Sequence, residues 1–458
     1  MKHKIEEIVA KQTACFRSGK TRDLTYRQQM LSALEEGICL HEEELYAALE
    51  ADLGKSKAES YMTEISMVLG ELRDIKRNLR KWATPKKAAM TLGTFPARSR
   101  IYQEPYGVVL VLAPWNYPFL LALSPVVGAL AAGNCVVLKC SKSSPHTGKV
   151  IQNILESSLP QEVCYGVDLE VDYDAILDQE YQYIFFTGSP KVGKQIMAQA
   201  AKRLIPVSLE LGGKSPCIVT ESADIKLAAK RILWGKLLNA GQTCISIDYV
   251  LVDTRVKDAL VQELGKELVK RYGNPLDNQG YPKIISDRHY QRLTGIIAAE
   301  KELGAVLGGE GNPESKKIAP AFLLDADFTH PSMEEEIFGP ILPVIGYTDL
   351  NQAVEQVLDR PHPLATYIFS RDKKEIQWLL GKMPFGGGCV NDTILHITNH
   401  HMPFGGVGNS GMGSYHGYYS FRTFTHEKSV ILGSSKVDMP IRYAPFDLAK
   451  WKLVKKLL

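Results

Sequence analysis

The chain has 458 residues, of which 45% are hydrophobic and 23% charged, and a formal net charge of +3. This is the composition of a soluble globular protein with two or three domains and sizeable cores; it excludes a disordered chain and gives no electrostatic reason to expect a nucleic-acid partner. The eight cysteines are scattered with no CxxC pair, which argues against a disulfide framework or a zinc site and fits a reducing, cytoplasmic compartment.

The opening Met1-Lys-His-Lys-Ile-Glu-Glu7 mixes charges and lacks the apolar core of a signal peptide. Residues 24–82 are predicted helical, because Met30, Leu34, Ile38, Leu45 and Leu49 recur at spacings of four and seven with charged residues between them. Residues 97–104 read as an exposed strand or arm. From 105 to 138 no residue is charged, but Pro114, Pro118 and Pro125 interrupt the stretch. Its apolar part, 119–133, is only 15 residues long, too short to span a bilayer. A buried unit is predicted instead: a strand over 108–112, a helix from Pro118 to near Gly133-Asn134, and a strand over 135–139.

Further strands are expected at 181–186, 207–211 and 216–220, with a helix over 190–203. A second α/β block extends over 223–425, with helices near 224–239 and 255–271. Residues 428–440 read as a last strand segment. The basic end, Lys450-Trp-Lys-Leu-Val-Lys-Lys-Leu-Leu458, is expected to pack or be solvated rather than to contact a membrane. Strands alternating with helices imply an α/β fold with parallel sheets.

Two segments carry the chemistry. Asn239-Ala-Gly-Gln-Thr-Cys244 places a cysteine after a small-residue turn, and Ser208-Leu-Glu-Leu-Gly-Gly213 places Glu210 at an apolar strand end. A thiol can attack a carbonyl carbon, and a carboxylate with a raised pKa can later activate water against the thioester. Most free cysteines are small buried hydrophobes, and spacing alone leaves Cys244 open between that role and catalysis. Glu210 is likewise open between a sheet-edge salt bridge and a general base.

Asn116, in Ala113-Pro-Trp-Asn-Tyr-Pro-Phe119, follows the first strand of the sheet, where open α/β folds bind ligands. It is either a turn former or an oxyanion donor acting with the Cys244 N–H. Phe186-Thr-Gly-Ser-Pro-Lys-Val-Gly193 links a strand to a helix whose N-terminus can hold a pyrophosphate. Lys139 ends the second strand, placed either for a ribose or phosphate oxygen or for solvent. The loops Glu334-Glu-Glu-Ile-Phe-Gly-Pro340 and Pro403-Phe-Gly-Gly-Val-Gly-Asn-Ser-Gly-Met-Gly413 suit a ligand site or a domain junction.

Taken in this order, Pro114-Trp-Asn116, Thr187-Gly-Ser189, Leu209-Glu-Leu-Gly-Gly213, Gly241-Gln-Thr-Cys244, Glu336-Ile-Phe-Gly-Pro340 and Pro403-Phe-Gly-Gly406 closely resemble the aldehyde dehydrogenase superfamily. The likeness runs over nearly the whole chain. The short N-terminus and Gly408-Asn-Ser-Gly-Met-Gly-Ser-Tyr-His-Gly417 look like the class 3, fatty or aromatic aldehyde, branch.

The resemblance implies a Rossmann-like NAD(P)-binding domain over 1–82 and 105–208, a catalytic domain over 209–425 and a small β bridging arm over 83–104 and 426–445. A basic tail over 446–458 follows, and the assembly implied is a homodimer. It implies Cys244 as nucleophile, Glu210 as general base and Asn116 as oxyanion donor, with no metal. Trp115, Lys139, Gly188, Ser189 and Gly193 would face NAD or NADP; Glu336 would hold the nicotinamide ribose, with Phe338 beside it. Tyr117, Trp234 and Phe404 suggest an apolar funnel for medium or long aliphatic, or aromatic, aldehydes.

Two positions depart from the family pattern. Lys142 stands where an acidic residue often grips the ribose hydroxyls, so NADP should be tolerated or preferred. Ile247 stands where the branch often has proline. The alternatives are a coenzyme A-acylating dehydrogenase, against which Glu210 counts, and a cofactor-independent cysteine esterase. The latter needs a histidine partner for the thiol, and none of the 11 histidines lies in a recognisable motif.

Overall fold

A computed structural model describes residues 2–457. The helical region begins earlier than residue 24: a helix over Lys2–Arg17 buries Ile5, Ile8 and Val9. Gln12, fully buried on the same helix, donates from Nε2 to Val136 O at 2.8 Å and so ties it to the first sheet. The helical stretch expected over 24–82 is broken into pieces. Leu24–Leu40 and Glu42–Leu53 come first, and the second ends at Gly54 in the left-handed region, φ 68°. Ser56 then caps the short helix Lys57–Ser60, a wide π turn follows over Tyr61–Ile65, and Ser66–Ala83 completes the layer.

The first sheet has six strands in the spatial order Gly411–Met412, Val207–Leu211, Tyr183–Gly188, Val108–Leu112, Cys135–Lys139, Cys164–Gly166. Val108–Leu112 and Cys135–Lys139 are buried at every residue, which is why they read as unbroken apolar runs. The chain starts in the middle of the sheet, builds outward on one side and returns to build the other. A topological switch point therefore lies between Val108–Leu112 and Tyr183–Gly188, and ligands bind beyond the carboxyl ends of strands at such points. The helix Leu120–Ala132 packs wholly buried beneath it and ends at Gly133, φ 96°.

The second sheet runs Val306–Gly308, Ala321–Leu323, Ile341–Tyr347, Tyr249–Asp253, Pro216–Val219, Ala365–Phe369, Gly387–Val390. It is parallel apart from its first strand. A separate three-stranded antiparallel arm joins Lys86–Lys87, Arg98–Pro105 and Thr425–Leu432.

In Val207–Leu211, Glu210 and Leu211 are paired with Thr187 and Gly188. Gly411–Met412, far along the chain, then adds antiparallel to the same strand, with Gly411 opposite Glu210. The last strand stops at Leu432 rather than near 440, since Gly433-Ser-Ser435 ends its extended run; beyond it lie a turn over Pro440–Arg442 and the helix Leu448–Leu457.

Candidate active site

Helix Ile225–Leu237 ends in a turn where Asn239 (φ 52°), Ala240 (φ 50°) and Gly241 (φ 76°) are all left-handed. Left-handed backbone costs about 1–3 kcal/mol at a non-glycine residue and persists only where its surroundings dictate it. Here they do. Asn239 N donates to Glu59 Oε1 at 2.7 Å, and Asn239 Nδ2 donates to Asn116 O at 2.7 Å and Gln242 O at 3.1 Å. Gln242 Nε2 donates to Asn239 O and Lys283 O, both at 3.0 Å, and its Oε1 accepts from Ile285 N at 3.0 Å. Only glycine fits at 241, where a Cβ would lie 2.4 Å from Gly339 O.

This clamped turn delivers Cys244, half-buried, with its own N–H and that of Ile245 against the sulfur. Asn116, 3% exposed, reaches across 126 positions of sequence to donate from Nδ2 to Gln242 O at 3.1 Å. That bond joins its loop to the cysteine turn, which a residue shaping only its own turn would not do. A second tie links Tyr117 Oη and Thr243 Oγ1 at 2.7 Å.

Glu210 is 3% exposed, and neither carboxylate oxygen has a hydrogen-bond partner among the described residues. The sheet-edge salt bridge is thus not its role: Gly411–Met412 covers that edge. Burial lifts its pKa well above the usual carboxylate range. The Cys244 thiol is pushed up to about 12, first by burial and then by the charges of Glu336 and Glu210, so both acids are felt at the sulfur.

Cys244 and Glu210 line one cavity of about 130 Å³. Its walls include all three residues of the expected funnel, Tyr117, Trp234 and Phe404. They also include Met62 and Thr63 from the π turn, Met67 and Leu121 from the neighbouring helices, and Leu395 and Ile397 from the loop before the glycine-rich segment.

On the other side of the cysteine turn, Glu336 lies against Gly212, where a Cβ would fall 2.1 Å from its Oε2. Burial and the nearby Asp248 raise its pKa to about 8, opposed by the Gly213 N–H and by Lys214 and Arg292. Phe338, φ 51°, meets the Trp115 ring edge-on at 5.4 Å, and Trp115 packs against His289 at 5.0 Å. Lys139, buried at its strand end, donates from Nζ to Leu169 O. Lys142 is exposed in the turn that follows, close enough for its charge to help depress the Lys139 pKa below its usual value, behind burial. Gly188 ends its strand, exposed Ser189 caps the helix Pro190–Ala201 by accepting from Val192 N at 3.4 Å, and Gly193 faces Leu211.

Residues 1–430 match the aldehyde dehydrogenase family over most of the chain's length. The chain belongs to the aldehyde dehydrogenase family. It is 40% identical over 453 residues to 4,4'-diaponeurosporen-aldehyde dehydrogenase of Staphylococcus aureus, covering 98% of each chain. It is 40% identical to the dimeric NADP-preferring aldehyde dehydrogenase of Canis lupus familiaris, covering 98% of this chain and 99% of that one. The Arabidopsis thaliana aldehyde dehydrogenase family 3 member H1 is 41% identical, with 98% and 94% covered. A solved structure of S. aureus AldH in a substrate-bound state superposes with a TM-score of 0.96 at 39% identity, covering 99% of each chain. The protein is an oxidoreductase that oxidises aldehydes with NAD or NADP, and these likenesses support neither coenzyme A acylation nor cofactor-independent hydrolysis.

Sequence reasoning on this aldehyde dehydrogenase missed the residues that hold the site from behind. Glu59, which takes the Asn239 N–H, and Lys55 and Glu64, which form an ion pair at 2.6 Å, lie in what reads as an ordinary charged helical stretch. His289, against Trp115, gave no local signal either.

Proposed function

We propose that Cys244 is the nucleophile, that Asn116 Nδ2 and the Cys244 N–H stabilise the oxyanion, and that Glu210 activates the water that releases the acid. The observation that carries this reading is the unpartnered Glu210 carboxylate sharing one apolar cavity with the sulfur of Cys244. Burial disfavours the thiolate, so attack on the aldehyde carbon begins as the thiol proton passes to solvent water at the mouth of the cavity. Cys244 Sγ then bonds to the carbon while the two donors take the developing negative charge on oxygen. One such donor typically accounts for about 10²–10³ in rate. When bound, the nicotinamide supplies the hydride acceptor. Glu210 draws a proton from water, which attacks the thioester carbonyl and leaves the carboxylic acid and free thiol.

The residues at the switch point fit a dinucleotide. Lys139 offers a cation at a strand end, Ser189 opens a helix whose positive end can face phosphate, and the buried Thr187 hydroxyl beside them has no partner among the described residues. Trp115 and Phe338 would flank the group and Glu336 would hold a ribose hydroxyl. Lys142 would favour NADP through its exposed ammonium.

The nearly uninterrupted apolar lining of the cavity supports medium or long aliphatic, or aromatic, aldehydes as substrates. The exposed outer face of Thr425–Leu432 supports a homodimer joined through the arm, an arrangement that sedimentation tests directly. Eight free cysteines support a cytoplasmic location. Among the described residues no helix is long and apolar enough to cross a membrane.

Rapid mixing of Glu210→Gln with aldehyde and cofactor tests the assignment. The expected result is one stoichiometric burst of reduced cofactor followed by very slow turnover. An unchanged steady-state rate would show that another group is the base.

A further inference from the structure

Lys55 and Glu64 form an ion pair, Nζ to Oε1 at 2.6 Å, with both side chains at 0% exposure. Buried pairs of this kind are weak sources of stability, since apolar replacements of similar volume often do as well or better. The charges of the pair are felt at the buried Glu59 between them, and its remaining hydrogen-bond and ring contacts converge on one loop. Lys55 Nζ lies 3.5 Å from Asn116 O and 3.9 Å from the centre of the Tyr117 ring. Glu64 Oε2 accepts from Phe119 N at 2.8 Å and Leu120 N at 3.2 Å, at the positive end of the helix Leu120–Ala132. The loop that carries Asn116 is thus gripped on both sides of the asparagine.

The same carbonyl of Asn116 also accepts from Asn239 Nδ2 at 2.7 Å, and Asn239 N donates to Glu59 Oε1 at 2.7 Å. One short segment, Lys55 to Glu64, therefore touches both halves of the reaction centre: the Asn116 loop and the left-handed turn before Cys244. We propose that the Lys55–Glu64 pair is a positioning device that sets the Asn116 amide against Cys244 during attack on the aldehyde. This rests on the oxyanion role of Asn116 given above. Lys55 and Glu64 touch no reacting atom and act only by fixing where the Asn116 backbone sits. An oxyanion donor is effective only within a few tenths of an ångström of its target, so loosening the carbonyl that anchors it should slow the covalent step.

The test is a double-mutant cycle read by the burst rate of reduced cofactor. Lys55→Met/Glu64→Gln removes both charges yet keeps an amide oxygen for the Phe119 and Leu120 N–H groups. It should slow the burst by roughly 10–100-fold while the dissociation constants for NAD and NADP stay within about twofold. In an Asn116→Ala background the same pair of changes should slow it by less than about threefold, because the group being positioned is gone. Full slowing repeated in that background would show a general structural role and overturn the proposal, as would a wild-type burst in Lys55→Met/Glu64→Gln. If that pair does not fold, Lys55→Gln/Glu64→Gln, which keeps both positions neutral and able to hydrogen-bond, is carried through the same cycle with the same expectations. An Asn116→Ala enzyme with a normal burst would instead sink the oxyanion reading itself, leaving the two failures distinguishable.

Discussion

The turn from Asn239 to Cys244 and the strand ends at Lys139 and Gly188 are built in opposite ways. The cysteine turn is closed: its backbone is left-handed at three residues and bonded to Asn116, Glu59, Lys283 and Ile285. The turns beyond the strand ends are open: Lys139 is buried, but Ser189 and Lys142 are exposed and Trp115 and Phe338 half-buried. A reacting carbon must meet a thiol, an amide and a base within narrow limits, and a rigid protein frame meets that demand before substrate arrives. A dinucleotide brings its own rigid rings and charges, so its cradle needs few fixed groups. Substitutions on the closed side should therefore cost orders of magnitude in rate, and those on the open side should change cofactor preference by smaller factors.

The largest effect tests the closed side. Cys244→Ala should lower aldehyde oxidation by roughly 10⁴-fold or more, because among the described residues no other thiol lines the cavity. Cofactor binding, followed by quenching of tryptophan fluorescence, should change little. Normal turnover in this variant would remove the basis of the whole mechanism.

Glu210→Gln should show the burst-limited kinetics described above and, in addition, a stability signature. Burial raises the Glu210 pKa in the folded state above its unfolded value, so the folded form binds the proton more tightly. The penalty for burying this carboxyl is absent below the unfolded pKa, about pH 4, and grows as pH rises through the folded pKa. Glu210→Gln escapes that penalty. Its Tm should match the parent near pH 4 and exceed it at pH 8, and a constant offset at every pH would show that the carboxyl is not desolvated.

The two sides also differ in how far the sequence discloses them. Local signals (small residues, a strand end and a post-strand turn) marked Cys244, Glu210 and Asn116 as candidates but left their roles open until the family resemblance supplied them, whereas the strands Val108–Leu112 and Cys135–Lys139 were legible because burial on both faces leaves only apolar residues. The supports behind them were not legible. Lys55, Glu59 and Glu64 sit in a helical pattern where charge ordinarily marks the solvent face, and only the tertiary partners show that two of them are wholly buried. The pairing of Gly411 with Glu210 was equally hidden, since two residues of glycine-rich loop have no strand propensity of their own. The helix Lys2–Arg17 carries an apolar stripe too short to stand out from its charges.

The smallest effect tests the open side. Lys142 stands exposed, one turn beyond the buried Lys139, where a 2′-phosphate of NADP would meet its ammonium as a point charge. Lys142→Glu replaces that attraction with repulsion, and a carboxylate there can grip the 2′- and 3′-hydroxyls of NAD instead. The substitution should lower kcat/KM for NADP by about tenfold, equivalent to about 1.4 kcal/mol, and leave NAD within about twofold. Raising the salt concentration should shrink the difference, because an exposed charge is screened. The burst rate with saturating NAD should be unchanged, since among the described residues no hydrogen bond links this position to the cysteine turn. Equal losses with both cofactors would place Lys142 away from the ribose, and the contrast between a closed reaction centre and an open cradle would then have to be drawn without it.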